Sequence, residues 1–171
     1  LDSIKTKESI VKEKLLTPLV RMSELAVNSI TNRGKIMLCG NGGSAADAQH
    51  LAAEMLVRLR PNFNRVSIPA VSLSSNTSII TACGNDYGFK KIFTRSLAGL
   101  YKKNDIVVVL STSGNSENII DVLKYCKKSK IKSIGLLGNK GGMAKKYCDS
   151  SIVINSSNTA RIQELHIFLG H

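Results

Sequence analysis

The chain has 171 residues, enough for one domain that buries roughly 70% of its unfolded surface without disulfides. Hydrophobic residues are 43% and aromatics 5%, with no Trp and no 18-residue apolar run, which excludes a membrane-spanning helix and points to a core of Val, Ile, Leu and Ala. The net charge of +12 comes from scattered lysines such as Lys124, Lys127, Lys128, Lys130 and Lys132 without interleaved aromatics, so it favours anionic substrates over specific nucleic-acid binding.

Residues 3–31 show helical spacing of apolar side chains (Ile4, Ile10, Val11, Leu15, Leu19, Leu25), with Pro18 as the expected kink. A short buried-type strand at 35–39 runs into Gly40-Asn41-Gly42-Gly43-Ser44, and a helix is expected over 45–59. Strands are then expected at 66–73, 105–110, 133–137 and 151–154, with helices at 77–83, 88–100, 117–128 and 143–147 and a last one from 159. Short strands that are apolar on both faces and separated by helices imply a parallel sheet covered on both sides, with ligands at the carboxyl ends of the strands. No linker, repeat or low-complexity tract divides the chain, so residues 1–171 form one domain with 1–32 as a leading helical segment on it or on a partner subunit. Cys39, Cys83, Cys126 and Cys148 lack C-x-x-C spacing and read as reduced thiols of a cytoplasmic protein. The sequence starts at Leu1 with neither Met nor the plan of a signal peptide, and the expectation is that it is a fragment of a longer chain.

The strand Val107-Val108-Val109-Leu110 enters Ser111-Thr112-Ser113-Gly114-Asn115-Ser116 and then a helix start. Hydroxyl donors beside the open N–H groups of a helix N-terminus make a seat for a phosphate. The Gly-Lys-Ser/Thr of a nucleotide P-loop is missing, which favours a sugar phosphate over a nucleoside triphosphate. Gly40-x-Gly42-x-x-Ala45 matches the dinucleotide fingerprint in its alanine variant, yet no acidic residue lies between Met55 and Asn85 to grip a ribose. The glycines instead let backbone approach a small ligand, with Asn41 and Ser44 adding polar contacts.

His50 and Glu54 stand four apart on the following helix, a pair that can bind a metal or act as base and orienter. Arg161-Ile162-Gln163-Glu164-Leu165-His166 and His171 put further polar groups on the last helix. Gln163 and His171 are about 12 Å apart along its axis and roughly 80° apart in rotation, so they either bracket one site or serve different subunits.

Cys39-Gly-Asn-Gly-Gly-Ser44, Asp47-Ala-Gln-His50-Leu-Ala-Ala-Glu54, Gly84-Asn-Asp-Tyr-Gly88, Ser111-Thr-Ser-Gly-Asn-Ser116 and Arg161-Ile-Gln-Glu-x-His166 together resemble the phosphoheptose isomerases of the sugar isomerase (SIS) domain superfamily. The resemblance spans nearly the whole chain, in order. It implies a flavodoxin-like three-layer α/β/α fold of about five parallel strands, a homotetramer with active sites at subunit contacts, and conversion of sedoheptulose 7-phosphate to D-glycero-D-manno-heptose 7-phosphate. That reaction opens the route to activated heptose for lipopolysaccharide or capsule. The resemblance assigns the phosphate to Ser111, Thr112, Ser113 and Ser116, and the rest of the substrate to Asn41, Gly42, Gly43, Ser44, Asn85, Asp86, Gln163 and Glu54. One zinc ion per subunit falls to His50, Glu54, Gln163 and His171, with Glu54 and His171 as the catalytic acid/base pair. His171 is the last residue of the sequence, and a chain that ended there would leave it without a following turn to hold its backbone, so the expectation is that the natural chain continues. The competing reading is a non-catalytic SIS protein that senses phosphosugars or associates with a replication initiator, and the presence of both Glu54 and His171 favours the enzyme.

Overall fold

Five apolar runs form the sheet of the computed structural model, which describes residues 1–12 and 15–171. The strands are β1 (Ile36–Gly40), β2 (Ala70–Ser72), β3 (Ile106–Ser111), β4 (Lys132–Gly138) and β5 (Ser150–Ile154). They are all parallel and lie in the order β2-β1-β3-β4-β5, the flavodoxin-like doubly wound arrangement. The order reverses beside β1, so the loops after β1 and β3 open on one crevice at the carboxyl edge.

Among the described residues seven α-helices cover the two faces: α1 (Asp2–Lys12), α2 (Leu16–Thr31), α3 (Gly43–Leu56), α4 (Thr77–Tyr87), α5 (Ile92–Leu100), α6 (Glu117–Lys128) and α7 (Thr159–Gly170). The pleat of each strand divides the core. Ile36, Leu38, Leu110, Leu136 and Ile152 point into one half with Leu51 of α3 and Ile162 and Leu165 of α7. Met37, Cys39, Val107, Val109 and Leu137 point into the other, with Phe93 and Leu97 of α5 and Ile119 and Leu123 of α6. Ile10 of α1 and Met22 of α2 join the first half, so both leading helices pack on their own chain.

Several boundaries differ from the expectation. The leading segment is two helices, and Pro18 sits in the first turn of α2, where the N–H it lacks would have no helical partner, so it bends nothing. The strand expected over 66–73 shrinks to Ala70–Ser72, and α3 ends at Leu56 rather than 59. The cause is common to both: Arg65, Ser67 and Ile68 turn back to bond the last carbonyls of α3 instead of pairing with β1. The segment 88–100 divides into a 3₁₀ turn, Phe89–Lys91, and α5, and the short helix expected at 143–147 is a single 3₁₀ turn, Ala144–Lys146.

Candidate active site

The loops after β1 and β3 meet over a cavity of about 60 Å³ lined by Asn41, Ser44, Ser111, Thr112, Ser116 and Gln163. That is space for about two waters, on the scale of one phosphate group. Ser111 Oγ accepts the Gly114 N–H at 3.0 Å and Ser113 Oγ accepts the Asn115 N–H at 3.1 Å, leaving both O–H groups to donate outward. Ser116 is the N-cap of α6 but its side chain caps nothing, so the first N–H groups of the helix stay open to an anion. Gly114 holds the loop shut at φ 64°, and a Cβ there would stand 2.1 Å from the Gly141 carbonyl oxygen.

The two loops are joined by an amide pair. Asn41 Nδ2 donates to Asn118 Oδ1 and Asn118 Nδ2 to Asn41 Oδ1, both at 2.9 Å. Asn118 is buried in the first turn of α6. It was not among the expected site residues; its only signal is a polar residue on the apolar face of a helix beginning at a phosphate loop.

Helices α3 and α7 run side by side in the same direction. A Cβ on Gly43 would meet the Gln163 amide at 2.5 Å, and one on Gly170 would meet Leu51 at 2.7 Å. This parallel register places Gln163 at the phosphate cavity and carries His171 to His50, their Nε2 atoms 3.0 Å apart and their rings edge to face. The His171 N–H donates to the Ile167 carbonyl at 3.1 Å. Glu54 Oε1 lies 3.5 Å from His50 Nε2. One helix alone therefore does not gather the polar groups; α3 and α7 together do, with Gln163 at one end of the groove and His171 at the other. Asn85 and Asp86 stand apart from the cavity, exposed on the last turn of α4, where Asn85 Nδ2 donates to Asp86 Oδ1 at 2.8 Å.

The remaining polar residues of α7 serve the fold. Glu164 accepts from Ser3 Oγ and Lys7 Nζ of α1, both at 2.5 Å, and pairs with Arg161. His166 is fully buried; burial pushes its pKa down to about 4, and neither ring nitrogen makes a well-formed hydrogen bond, although the backbone of Leu137 approaches it.

Two imidazole nitrogens facing each other at 3.0 Å share one proton or one cation, since both cannot donate into the same gap. Among the described residues no group of three His, Cys, Asp or Glu is arranged to hold a metal ion. Zinc bonds of about 2.0–2.1 Å set donor–donor edges near 3.3 Å in a tetrahedron, and the separations of 3.0 Å and 3.5 Å fall on either side of that length. Of the four expected zinc ligands, His50, Glu54 and His171 stand near one another and Gln163 stands at the phosphate cavity. Asp47, one turn before His50, has its Oδ2 buried without a partner, and burial raises its pKa against the pull of His50 and His171.

Residues 1–138 match the SIS domain family. The chain is 49% identical to the phosphoheptose isomerase of a Nitratiruptor species over 171 residues, all of this chain and 90% of that one. It is 46% identical to phosphoheptose isomerase 2 of Campylobacter jejuni, covering 99% of this chain and 84% of the relative. The solved structure of the phosphoheptose isomerase from Neisseria gonorrhoeae superposes with a TM-score of 0.91 at 40% identity, covering 99% of this chain and 89% of that one.

Proposed function

The chain belongs to the SIS domain family, and from that membership and the two-ended site we infer that it is an isomerase converting sedoheptulose 7-phosphate to D-glycero-D-manno-heptose 7-phosphate. The observation that carries the reading is a spacing. Ser44 at the phosphate cavity and Glu54 are ten residues apart on α3, about 15 Å along the axis, a span shortened by the lean of helical side chains toward the N-terminus. An open seven-carbon chain with its phosphate ester reaches about 10 Å at roughly 1.2 Å per bond. With the phosphate seated, C1 and C2 of a heptulose would extend toward the Glu54 and His171 end, farther than a triose phosphate could reach.

The chemistry follows from what these groups can hold. The Glu54 carboxylate takes the proton from C1, and the C–H electron pair forms the C1–C2 double bond as the carbonyl oxygen becomes an enediolate oxygen. Glu54 returns the proton to C2, while His171 moves a proton from the C1 oxygen to the C2 oxygen, leaving an aldehyde at C1 and a hydroxyl at C2. Ser111, Thr112, Ser113 and Ser116 bind the phosphate and fix the register of the chain. A zinc ion, one per subunit, would be held by His50, Glu54 and His171 and would polarise the carbonyl and stabilise the oxyanion, whereas Gln163, the fourth ligand that the resemblance implies, lies at the phosphate end of this chain's groove.

The protein works as a homotetramer in this reading. In support, Ile4 and Val11 on α1 and Val20 and Val27 on α2 are each more than half exposed and spaced seven apart, which lays an apolar stripe on each leading helix. Asn85 and Asp86 would reach the sugar from a neighbouring subunit. Four free cysteines fit the cytoplasm, and the product would supply activated heptose for a surface glycan. No helix among the described residues is long and apolar enough to cross a membrane.

The test is turnover of sedoheptulose 7-phosphate, with and without added zinc, followed by NMR of the sugar carbons. Appearance of the aldoheptose phosphate is the expected result. Saturable, phosphate-dependent binding without turnover would favour a non-catalytic SIS sensor, and a rate untouched by chelation would remove the zinc.

A further inference from the structure

Glu54 stands in the last turn of α3, where carbonyl oxygens lose their helical partners. Helices often end on a glycine in the left-handed region, but α3 ends on Val57 at φ −99° and ψ −88°. A side chain does the work instead. Arg65 Nη2 donates to the Glu54 carbonyl at 2.6 Å and Nη1 to the Met55 carbonyl at 2.8 Å, with a further bond to the Val66 carbonyl at 2.9 Å. Ser67 Oγ donates to the Leu56 carbonyl at 2.8 Å, and the Ile68 N–H shares the Met55 carbonyl at 3.0 Å. Arg58 and Arg60 of the same segment are exposed and make no side-chain hydrogen bond among the described residues.

We propose that Arg65 is a positioning residue for proton transfer: its guanidinium fork clamps the last turn of α3 and so fixes the backbone from which Glu54 reaches the substrate. The inference rests on the reading of Glu54 as the base. A planar fork can hold two adjacent carbonyls at once, whereas an ammonium holds them as a single point, and a cation is favoured at a helix C-terminus. The bond falls on the carbonyl of Glu54 itself, so a shift of the turn is a shift of the base. Misplacement of a reacting group by about 1 Å can cost as much as 100-fold in rate. The phosphate seat, at the other end of α3, does not depend on this clamp.

The experiment compares Arg65→Ala, Arg65→Lys and Ser67→Ala in the full chain, by kcat and KM for sedoheptulose 7-phosphate, rescue with guanidinium chloride, and amide exchange over residues 54–57. Arg65→Ala should lose about tenfold or more in kcat with KM within about twofold, exchange faster at 54–57, and recover part of its rate with guanidinium. Arg65→Lys should fall between it and the parent, and Ser67→Ala should keep kcat within about twofold, since the Glu54 carbonyl stays capped. Full kcat in Arg65→Ala despite faster exchange would overturn the proposal. So would a loss of kcat that only tracks the folded fraction and ignores guanidinium. Turnover by Glu54→Gln would instead bring down the base assignment itself, leaving Arg65 a helix cap and nothing more.

Discussion

At the phosphate end, the two loops that shape the cavity are tied to other parts of the same chain: Asn41 by Asn118, Ser111 by Gly114, and the Gly114 carbonyl by the N–H of Ala144. At the proton-transfer end, His50, Glu54 and His171 are partly exposed side chains from two helices, and they touch mainly one another. The first end is finished within one chain and the second is poised for something further, whether a cation, a neighbouring subunit or the substrate. Preorganisation at the phosphate lets the proton-transfer end act on a chain already in register, since binding a remote phosphate can be used to orient the reacting carbons.

The change that should separate the ends most sharply is Glu54→Gln. It keeps the size of the side chain and removes the base, so kcat should fall by roughly 100- to 10,000-fold while phosphosugar affinity, measured by calorimetry, stays within a few-fold. A parallel loss of affinity would mean that the two ends do not act separately.

Helix α7 is common to both ends, with Gln163 at one and His171 at the other, and His166 anchors it against β4. Buried neutral, His166 has a folded pKa of about 4, below the value near 6.5 of the unfolded chain. Between pH 6.5 and 4 the unfolded chain takes up a proton that the folded one refuses, so stability is fullest above pH 6.5 and is lost as pH falls. The loss should approach about 3 kcal/mol near pH 4, because each tenfold difference in proton affinity between the two states is worth about 1.4 kcal/mol. Denaturant midpoints against pH for His166→Leu and the parent isolate this contribution, and equal slopes in the two proteins would show that the histidine is not kept neutral by burial. Phosphosugar affinity and turnover should decline together along the same curve, because α7 loosens as a unit.

How much of this was legible in the sequence follows the same division. Strand-loop-helix junctions are local, so the glycine loop after β1, the hydroxyl loop after β3 and the full span of α6 could be read from consecutive residues. The parallel sheet followed from the alternation of short apolar strands with helices, and the flavodoxin-like fold from the resemblance. What depends on distant partners was not legible from pattern. The short β2 and early end of α3 come from Arg65, Ser67 and Ile68, whose hydrogen bonds compete with strand pairing and leave no periodic trace. His166 and His171 look alike on one helix, and only the parallel register of α3 and α7 buries the first and brings the second to His50. The resemblance to phosphoheptose isomerases assigned Gln163 and His171 to one zinc site where helix arithmetic left two choices, and in the fold the two stand at opposite ends of the groove.

Asn118→Ala gives the smallest expected effect and tests the finished end. The substitution leaves both polar atoms of the Asn41 amide without their partner at 2.9 Å, next to a buried turn of α6. An unsatisfied amide of this kind costs about 1–3 kcal/mol, which should appear in thermal or denaturant unfolding. If the amide pair is what keeps the β1 and β3 loops in register, KM should rise while kcat at saturating substrate changes much less, because Glu54 and His171 are carried by α3 and α7 rather than by the loops. Asn118→Asp should be the sharper probe. It preserves shape and the acceptor for Asn41 Nδ2 but sets a carboxylate oxygen against Asn41 Oδ1, beside a seat meant for a phosphate. Affinity should therefore fall further than in Asn118→Ala, and a carboxylate that leaves KM unchanged would show that the phosphate does not sit between these two loops.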